Sequence, residues 1–403
     1  MSTIQHPLKA RRRKWLTRNI AAIAMLSLFS DMSHEMITAV LPFFVVSIGG
    51  TAAMVGLVEG VSDFCSSIGK LWVSYYSDKI GRRKPILIVG YILTAIKGVM
   101  AFVSTVAAVL IIRVISWMGR GMRGPVRDAL LAESVPPEFI GRAFGLHRAG
   151  DTLGAVLGPA IALGLLSLSV TYRHIFLVSL IPGAITILIV IFLIKDKPGL
   201  TGHGKTFQES LHSLPANFRR FVFSVGIFGL GNFGHTLLIL RAQQLLTPSL
   251  GAARASVWAI GLYTLLNIVY AAGSYPVGIL SERVGKRFLL GLGYLLFALM
   301  CLGFLFEAAS IPFLIILFML AGLYIALVDA MEGALAADLL PGDVRGTGYG
   351  VLGTINGLGD LVSSIVVGLL WAHVSTASGF IYALVLTAGG GIMLWTTVRE
   401  KVG

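Results

Sequence analysis

The chain has 403 residues, 56% of them hydrophobic and 13% charged, with a mean hydropathy of +0.85. Soluble domains carry about 25% charged residues, so the composition excludes a soluble globular protein; apolar runs of about 20 residues point to spanning helices rather than barrel strands. The net charge of +13 is spread over short connections, which argues against nucleic-acid binding, and two cysteines in apolar segments, Cys65 and Cys301, make no disulfide scaffold.

The basic N-tail (Lys9, Arg11, Arg12, Arg13, Lys14, Arg18) precedes a segment too long for a signal-peptide core, so the first span is expected to be retained. Twelve spans are predicted: 20–48, 53–77, 86–104, 106–132, 143–169, 174–194, 219–246, 255–280, 288–307, 311–337, 346–373 and 378–398. Alternate connections hold 25 of the 32 Lys and Arg, while the opposite loops hold Arg173 and Arg254. The positive-inside rule then predicts a multi-pass protein of a bacterial inner membrane with both termini cytoplasmic.

The first span carries Asp31, His34 and Glu35 near its middle. Each ionisable group at bilayer depth costs at least about 2.5–3.5 kcal/mol unless it faces a partner or water. At about 100° per residue the three can face one polar cavity. On the second span Glu59, Asp63 and Lys70 share a face, and on the fifth His147 and Asp151 are one turn apart with Arg148 beside them. Arg148 is positioned to meet Glu35 or Asp31 across the bundle. In the fourth span Arg113 is buried by position, whereas Arg120, Arg123, Arg127 and Asp128 at the cytoplasmic end read as headgroup contacts and inter-helix salt bridges, with an anion-attracting vestibule as the alternative. The second half places Arg241, Asp329 and Glu332 within apolar stretches. Aromatics such as Trp117, Phe233, Tyr263, Tyr270 and Tyr324 are candidates for cavity walls or for packing.

Residues 195–218 form the one long polar stretch and are read as a linker between an N-terminal bundle, 1–194, and a C-terminal bundle, 219–403. The halves repeat: residues 77–91 align with 281–294, and 133–145 with 338–350. Within this repeat Asp31 matches Asn232, His34 matches His235, Asp63 matches Asn267 and Asp151 matches Asn356. Acids in the first half thus face amides in the second, which assigns proton handling to one wall and hydrogen bonding to the other. The fold expected is an all-α membrane protein of twelve helices in two pseudo-symmetric six-helix bundles, with a midplane site between them.

The loop after the second span, with Asp78, Lys79, Gly81, Arg82 and Arg83, resembles the signature loop of the major facilitator superfamily; Ser74 replaces its leading Gly. The resemblance covers the whole chain and implies secondary-active transport by alternating access, with this loop as a gate. In the fifth span Gly145, Gly154, Gly158 and Pro159 resemble the antiporter motif of the superfamily's proton-coupled drug and organic-solute exporters, although Ala162 and Leu163 stand where that motif ends in Gly. Arg113 resembles the proton-transfer arginine of span four.

The expected function is therefore proton-coupled export of small organic compounds by a monomer in a lipid bilayer. The energy comes from the proton gradient, with no cofactor, no nucleic-acid partner and no enzymatic activity. Proton coupling falls to Asp31, Glu35, Asp151, Asp63 and Arg113. The cavity falls to His34, Glu59, His147, Arg148, Asn232, His235, Arg241, Asn267 and Asn356. Burial favours the protonated carboxyl unless a cation opposes it, and His titrates near neutrality unaided. Three alternatives stand beside this reading. They are a divalent-metal exporter using Asp31, His34, Glu35 and His235, with His147 near them; an organic-anion uptake permease using Arg148 and Arg241; and a non-transporting receptor on the same fold.

Overall fold

The computed structural model describes residues 16–80, 82–135, 139–195, 213–341 and 345–399, and the described residues form helices and no strands. In chain order these are α1 (Arg18–Ser47), α2 (Ala52–Ile80), α3 (Lys84–Ala95, running on as a 3-10 segment Ile96–Phe102), α4 (Val106–Glu133), α5 (Ile140–Ser167) and α6 (Tyr172–Phe192). The second half holds α7 (Ala216–Gly229), α8 (His235–Val284), α9 (Lys286–Phe304), α10 (Ile311–Leu339), α11 (Arg345–His373) and α12 (Thr376–Thr397). Hydroxyl caps start several of them: Thr17 accepts from the Ile20 amide, Thr105 from Ala108 and Ser375 from Ser378.

Nine of the described helices are long and apolar enough to cross a bilayer. The helices outside that set are α2 and α4, which carry the interior charges, and the short α7. Eleven predicted spans fall within a few residues of the observed helices. The seventh, expected to run unbroken over 219–246, does not. It stops at Gly229, crosses Leu230 to Gly234 without helix, and restarts at His235 as the first arm of α8. That arm ends at Gly251, whose φ of 75° turns the chain into the second arm, the eighth span. The break is tolerated because α11 supplies partners for the opened backbone: Ser363 Oγ donates to the Asn232 carbonyl at 2.8 Å, and the Gly234 amide donates to Ser364 Oγ at 3.0 Å.

The two halves repeat in side-chain detail. Asn19 donates to the Lys195 carbonyl at 3.0 Å and accepts from the Lys195 amide at 2.9 Å; Asn217 does the same with Arg399 at 2.6 and 2.9 Å. Lys84, opening α3, donates to the Ile191 carbonyl at the end of α6; Arg287, opening α9, donates to Val398 beyond α12. Cations at the C-terminal ends of helices satisfy their last carbonyls and complement the helix dipole. Arg83 grips Glu133 at the end of α4 at 2.5 and 3.0 Å, and Lys286 pairs with Asp338 at the end of α10. Basic connections thus lock each bundle internally at the end where the chain termini lie. The expected linker, 195–218, falls mostly on residues outside those described.

The halves close on each other at the far end. Ile37, Val40 and Phe44 of α1 share one buried cluster with Leu237, Leu240 and Ile260 of α8. At the termini end the N-terminal half keeps a separate core around Ile23, Leu87, Tyr91 and Leu130, with no member from the second half. The cavity between the halves therefore opens toward the termini end.

Candidate functional site

Between the halves lies a cavity of about 470 Å³. Its first wall is built by α1, α2, α4 and α5. Asp31, His34 and Glu35 all reach it, as their angular spacing on α1 requires, and so do Glu59, Asp63 and Lys70 from one face of α2. From the second half come Asn232, Phe233, Gly234 and His235 at the broken helix, Asn267 and Tyr270 on the second arm of α8, and Asp329 and Asp360.

The acids are held differently. Glu59 accepts from Arg113 Nη2 at 2.9 and 3.1 Å; both are buried, and the guanidinium lies 3.5 Å from the centre of the Trp117 ring. Trp117 in turn donates its indole N–H to Asp63 Oδ1 at 2.7 Å. Asp31 has Arg123 Nη2 at 3.9 Å, and Asp151 has Arg127 Nη1 at 4.0 Å and Arg148 Nη1 at 3.7 Å. Glu35 has no Lys or Arg within ion-pair distance among the described residues. It accepts from the Tyr263 hydroxyl at 2.6 Å, across the interface between the halves, and His34 Nε2 lies 3.7 Å away. His235 Nε2 is 2.8 Å from the Tyr324 hydroxyl, which also reaches Asn232 Oδ1 at 3.5 Å.

Several expectations are corrected. Arg241 does not line the cavity; it pairs with Glu307 at 2.8 Å, and that partner comes from the distant connection after α9. His147 does not itself line the cavity: its Nδ1 is 2.5 Å from Ser27 Oγ, and its Nε2 lies 3.7 Å from Asp151 Oδ2, the one-turn contact its spacing implied. Asn356 binds Glu332 rather than the cavity, so the third acid-to-amide pair does not form a two-walled surface, whereas Asp31 with Asn232 and Asp63 with Asn267 do. Arg148 meets Asp151, not Glu35 or Asp31. Arg120 lines the cavity and Arg123 is buried against Ser30 and Tyr91, so neither is a headgroup contact; the inter-helix pairs expected of this cluster do form, Arg123 with Asp31 and Arg127 with Asp151.

The glycines of the fifth span form a packing seam. A Cβ at Gly154 would lie 2.4 Å from the Leu28 carbonyl, and one at Gly158 would lie 2.7 Å from that of Met32, so α5 and α1 touch backbone to backbone. Gly145 is not part of this seam, because a Cβ there would meet nothing within 4 Å. Pro159 lies inside α5, which continues through it. In the signature loop Arg83 is buried on Glu133 and Arg82 is exposed; the side chains of Asp78 and Lys79, and Gly81 entirely, lie outside the described residues.

The sequence reading missed Asp360. It stands one turn beyond Asn356 on α11, and that spacing of four was the available signal. Seven carboxylates line the cavity (Asp31, Glu35, Glu59, Asp63, Asp151, Asp329, Asp360) against four Lys and Arg (Lys70, Arg113, Arg120, Arg148). Among the described residues no three His, Cys, Asp or Glu side chains converge as a metal-holding group, so Asp31, His34, Glu35 and His235 do not form the ligand set of the metal alternative.

The family model described as Major Facilitator Superfamily matches residues 23–245 and again 221–403, so the two overlapping matches cover the chain from residue 23 onward. An uncharacterised MFS-type transporter of Methanocaldococcus jannaschii is 35% identical over 94% of both chains. A Cupriavidus pinatubonensis protein named "Probable 4-methylmuconolactone transporter" is 27% identical over 92% of this chain and 89% of its own. Among solved structures, a nucleoside transporter superposes with a TM-score of 0.75 at 14% identity, covering 94% of this chain and 98% of its own. A D-xylose–proton symporter superposes at 0.73 and 16%, covering 95% and 97%. These two likenesses show the fold alone.

Proposed function

The chain belongs to the Major Facilitator Superfamily and is a secondary-active transporter; from that premise we propose that it exports small organic cations in exchange for protons, by alternating access of the two bundles. The observation that carries the reading is the excess of carboxylates over basic side chains in the cavity, with Glu35 bonded across the halves to Tyr263. A carboxylate bound to an organic cation must be unprotonated, and a protonated one releases it. Proton and cargo therefore compete for the same groups, which is the logic of antiport. Glu59 is committed to Arg113, Asp63 to Trp117 and Asp151 to Arg148; of the carboxylates that remain, Asp31 and Glu35 stand together on α1, and we assign the exchange to that pair. The relative named for 4-methylmuconolactone supports cargo of small organic size.

The termini end is assigned to the cytoplasm of a bacterial inner membrane because its connections carry the excess Lys and Arg. The cavity opening there receives cargo from inside. Energy comes from the proton gradient, and the working unit is the monomer. Organic-anion uptake is disfavoured because Arg241 is spent on Glu307 outside the cavity.

Proteoliposomes carrying a pH gradient test the coupling. A thermal-shift screen of organic cations and anions first identifies a ligand, since binding stabilises by mass action. With that ligand, Asp31→Asn and Glu35→Gln each abolish gradient-driven accumulation, while ligand exchange persists in part through the carboxylates that remain in the cavity. Unchanged gradient dependence in both variants overturns the proposal.

A further inference from the structure

The fifth and eighth spans meet at the far end and part toward the termini end. Near the far end a Cβ at Gly261 of α8 would lie 4.0 Å from Leu163 of α5, and beside that contact the Tyr172 hydroxyl, at the start of α6, is 3.5 Å from Ser256 of α8. Lower down, a second cavity of about 650 Å³ opens between α5, the second arm of α8, and α10. Its outer wall is apolar: Ala149, Leu153 and Val156 of α5 face Ala271 and Tyr275 of α8 and Ala330 of α10. Leu153 is 51% exposed and Tyr275 78% exposed, within helices that cross the bilayer, so this mouth faces lipid rather than the aqueous opening. Its inner end is polar and is shared with the central cavity through Arg148, Thr152, Tyr270 and Asp329.

We propose that this cleft is a lateral binding site, continuous with the central cavity, that takes the apolar portion of an amphipathic organic cation arriving from the bilayer leaflet at the termini end. The inference rests on the cationic-cargo reading and adds the route and shape of the cargo. The shared inner end sets the polarity. Asp329, held by the Tyr270 hydroxyl at 2.9 Å, has no Lys or Arg within ion-pair distance among the described residues, while Arg148 at the same end is spent on Asp151 at 3.7 Å. A cationic head therefore settles at the inner end, while its apolar body stays between Leu153 and Tyr275. A neutral lipid acyl chain gains nothing from the carboxylates and is displaced by a cationic amphiphile.

Cysteine protection in nanodiscs tests this. In a background carrying Cys65→Ser and Cys301→Ala, single variants Ala271→Cys and Ser274→Cys are labelled with N-ethylmaleimide and followed by intact-protein mass spectrometry. Either position reports if the other fails to fold. Decyltrimethylammonium is expected to slow labelling at least tenfold, and tetramethylammonium to leave the rate unchanged. Equal rates with and without decyltrimethylammonium overturn the lateral site, and so does equal slowing by both probes, which would show head binding alone. Thermal stability measured on the same samples separates the two failures. Stabilisation by both probes without protection keeps the central cation site and removes the lateral one. No stabilisation by either removes cationic cargo, and the lateral site with it.

Discussion

The Tyr263 hydroxyl donates to Glu35 Oε2 at 2.6 Å, so a single hydrogen bond joins a carboxylate of the first half to the second half at the roof of the cavity. Two substitutions separate its roles. Glu35→Gln keeps an acceptor for Tyr263 but cannot exchange a proton, so under the proposed antiport it is expected to lose gradient-driven flux while the far end stays closed. Tyr263→Phe keeps the carboxylate and removes the bond. Hydrogen bonds to charged groups contribute about 1.5–3 kcal/mol, so the closed state at the far end should lose roughly 10- to 100-fold in population relative to the open one. Labelling of a Thr38→Cys variant from the far side, with and without Tyr263→Phe, measures that change. Equal labelling refutes the role of the bond in closure.

The Arg113–Glu59 pair makes a different prediction, because both partners are buried. Removing one partner of a buried ion pair costs about 3–5 kcal/mol, since the other charge is left without compensation; replacing both with apolar residues is often neutral. Arg113→Met should lower the thermal midpoint sharply, and Arg113→Met with Glu59→Leu should recover most of the loss. A double variant as unstable as the single one would show that the stacking of Arg113 on Trp117, 3.5 Å away, matters more than the charge pair.

The legible parts of this molecule were those where chemistry contrasts with its surroundings. Asp31, Glu35, Glu59, Asp63 and Asp151 were found because a carboxylate in an apolar helix is conspicuous, and all five line the cavity. Arg120 was misread because arginines near a helix end look the same whether they face lipid headgroups or turn inward. Arg241 was misplaced because its partner, Glu307, lies sixty-six residues away and only folding brings the two together. The break at residues 230–234 left no trace in hydropathy, since Leu230 and Phe233 keep the run apolar. Its one signal was the closely spaced Gly229, Gly231 and Gly234. The internal repeat was legible in the loops, but not in the Asn19 and Asn217 clamps, whose meaning is a backbone partner more than 170 residues distant.

The small-residue seam of α5 allows a contrast within one helix. Gly154→Val places methyl groups against the Leu28 carbonyl and the Met32 amide, and α1 must move away. Overpacking of this kind costs about 1–3 kcal/mol or more. Gly145→Ala meets open space, so its effect on the thermal midpoint should be small. Comparable destabilisation by the two would contradict the assignment of Gly154 to the packing seam and of Gly145 to open space.

Lys97 offers the last test. It lies in the 3-10 segment that continues α3, is 1% exposed, and its Nζ has no hydrogen-bond partner among the described residues. Arg113, Arg120 and Arg123 lie within electrostatic reach, as does the opposing charge of Asp31. A buried amine in such surroundings costs stability whichever form it takes, because an ammonium lacks a counter-ion at bonding distance and a neutral amine lacks an acceptor. Lys97→Met fills the same volume without a polar atom and should raise stability by about 1–4 kcal/mol, read as a higher thermal midpoint. Lys97→Gln retains a buried polar group and should gain less. If Lys97→Met instead destabilises the protein, the amine has a partner in solution, and a coupling between Lys97→Met and Asp31→Asn in a double-mutant cycle would identify that partner as Asp31.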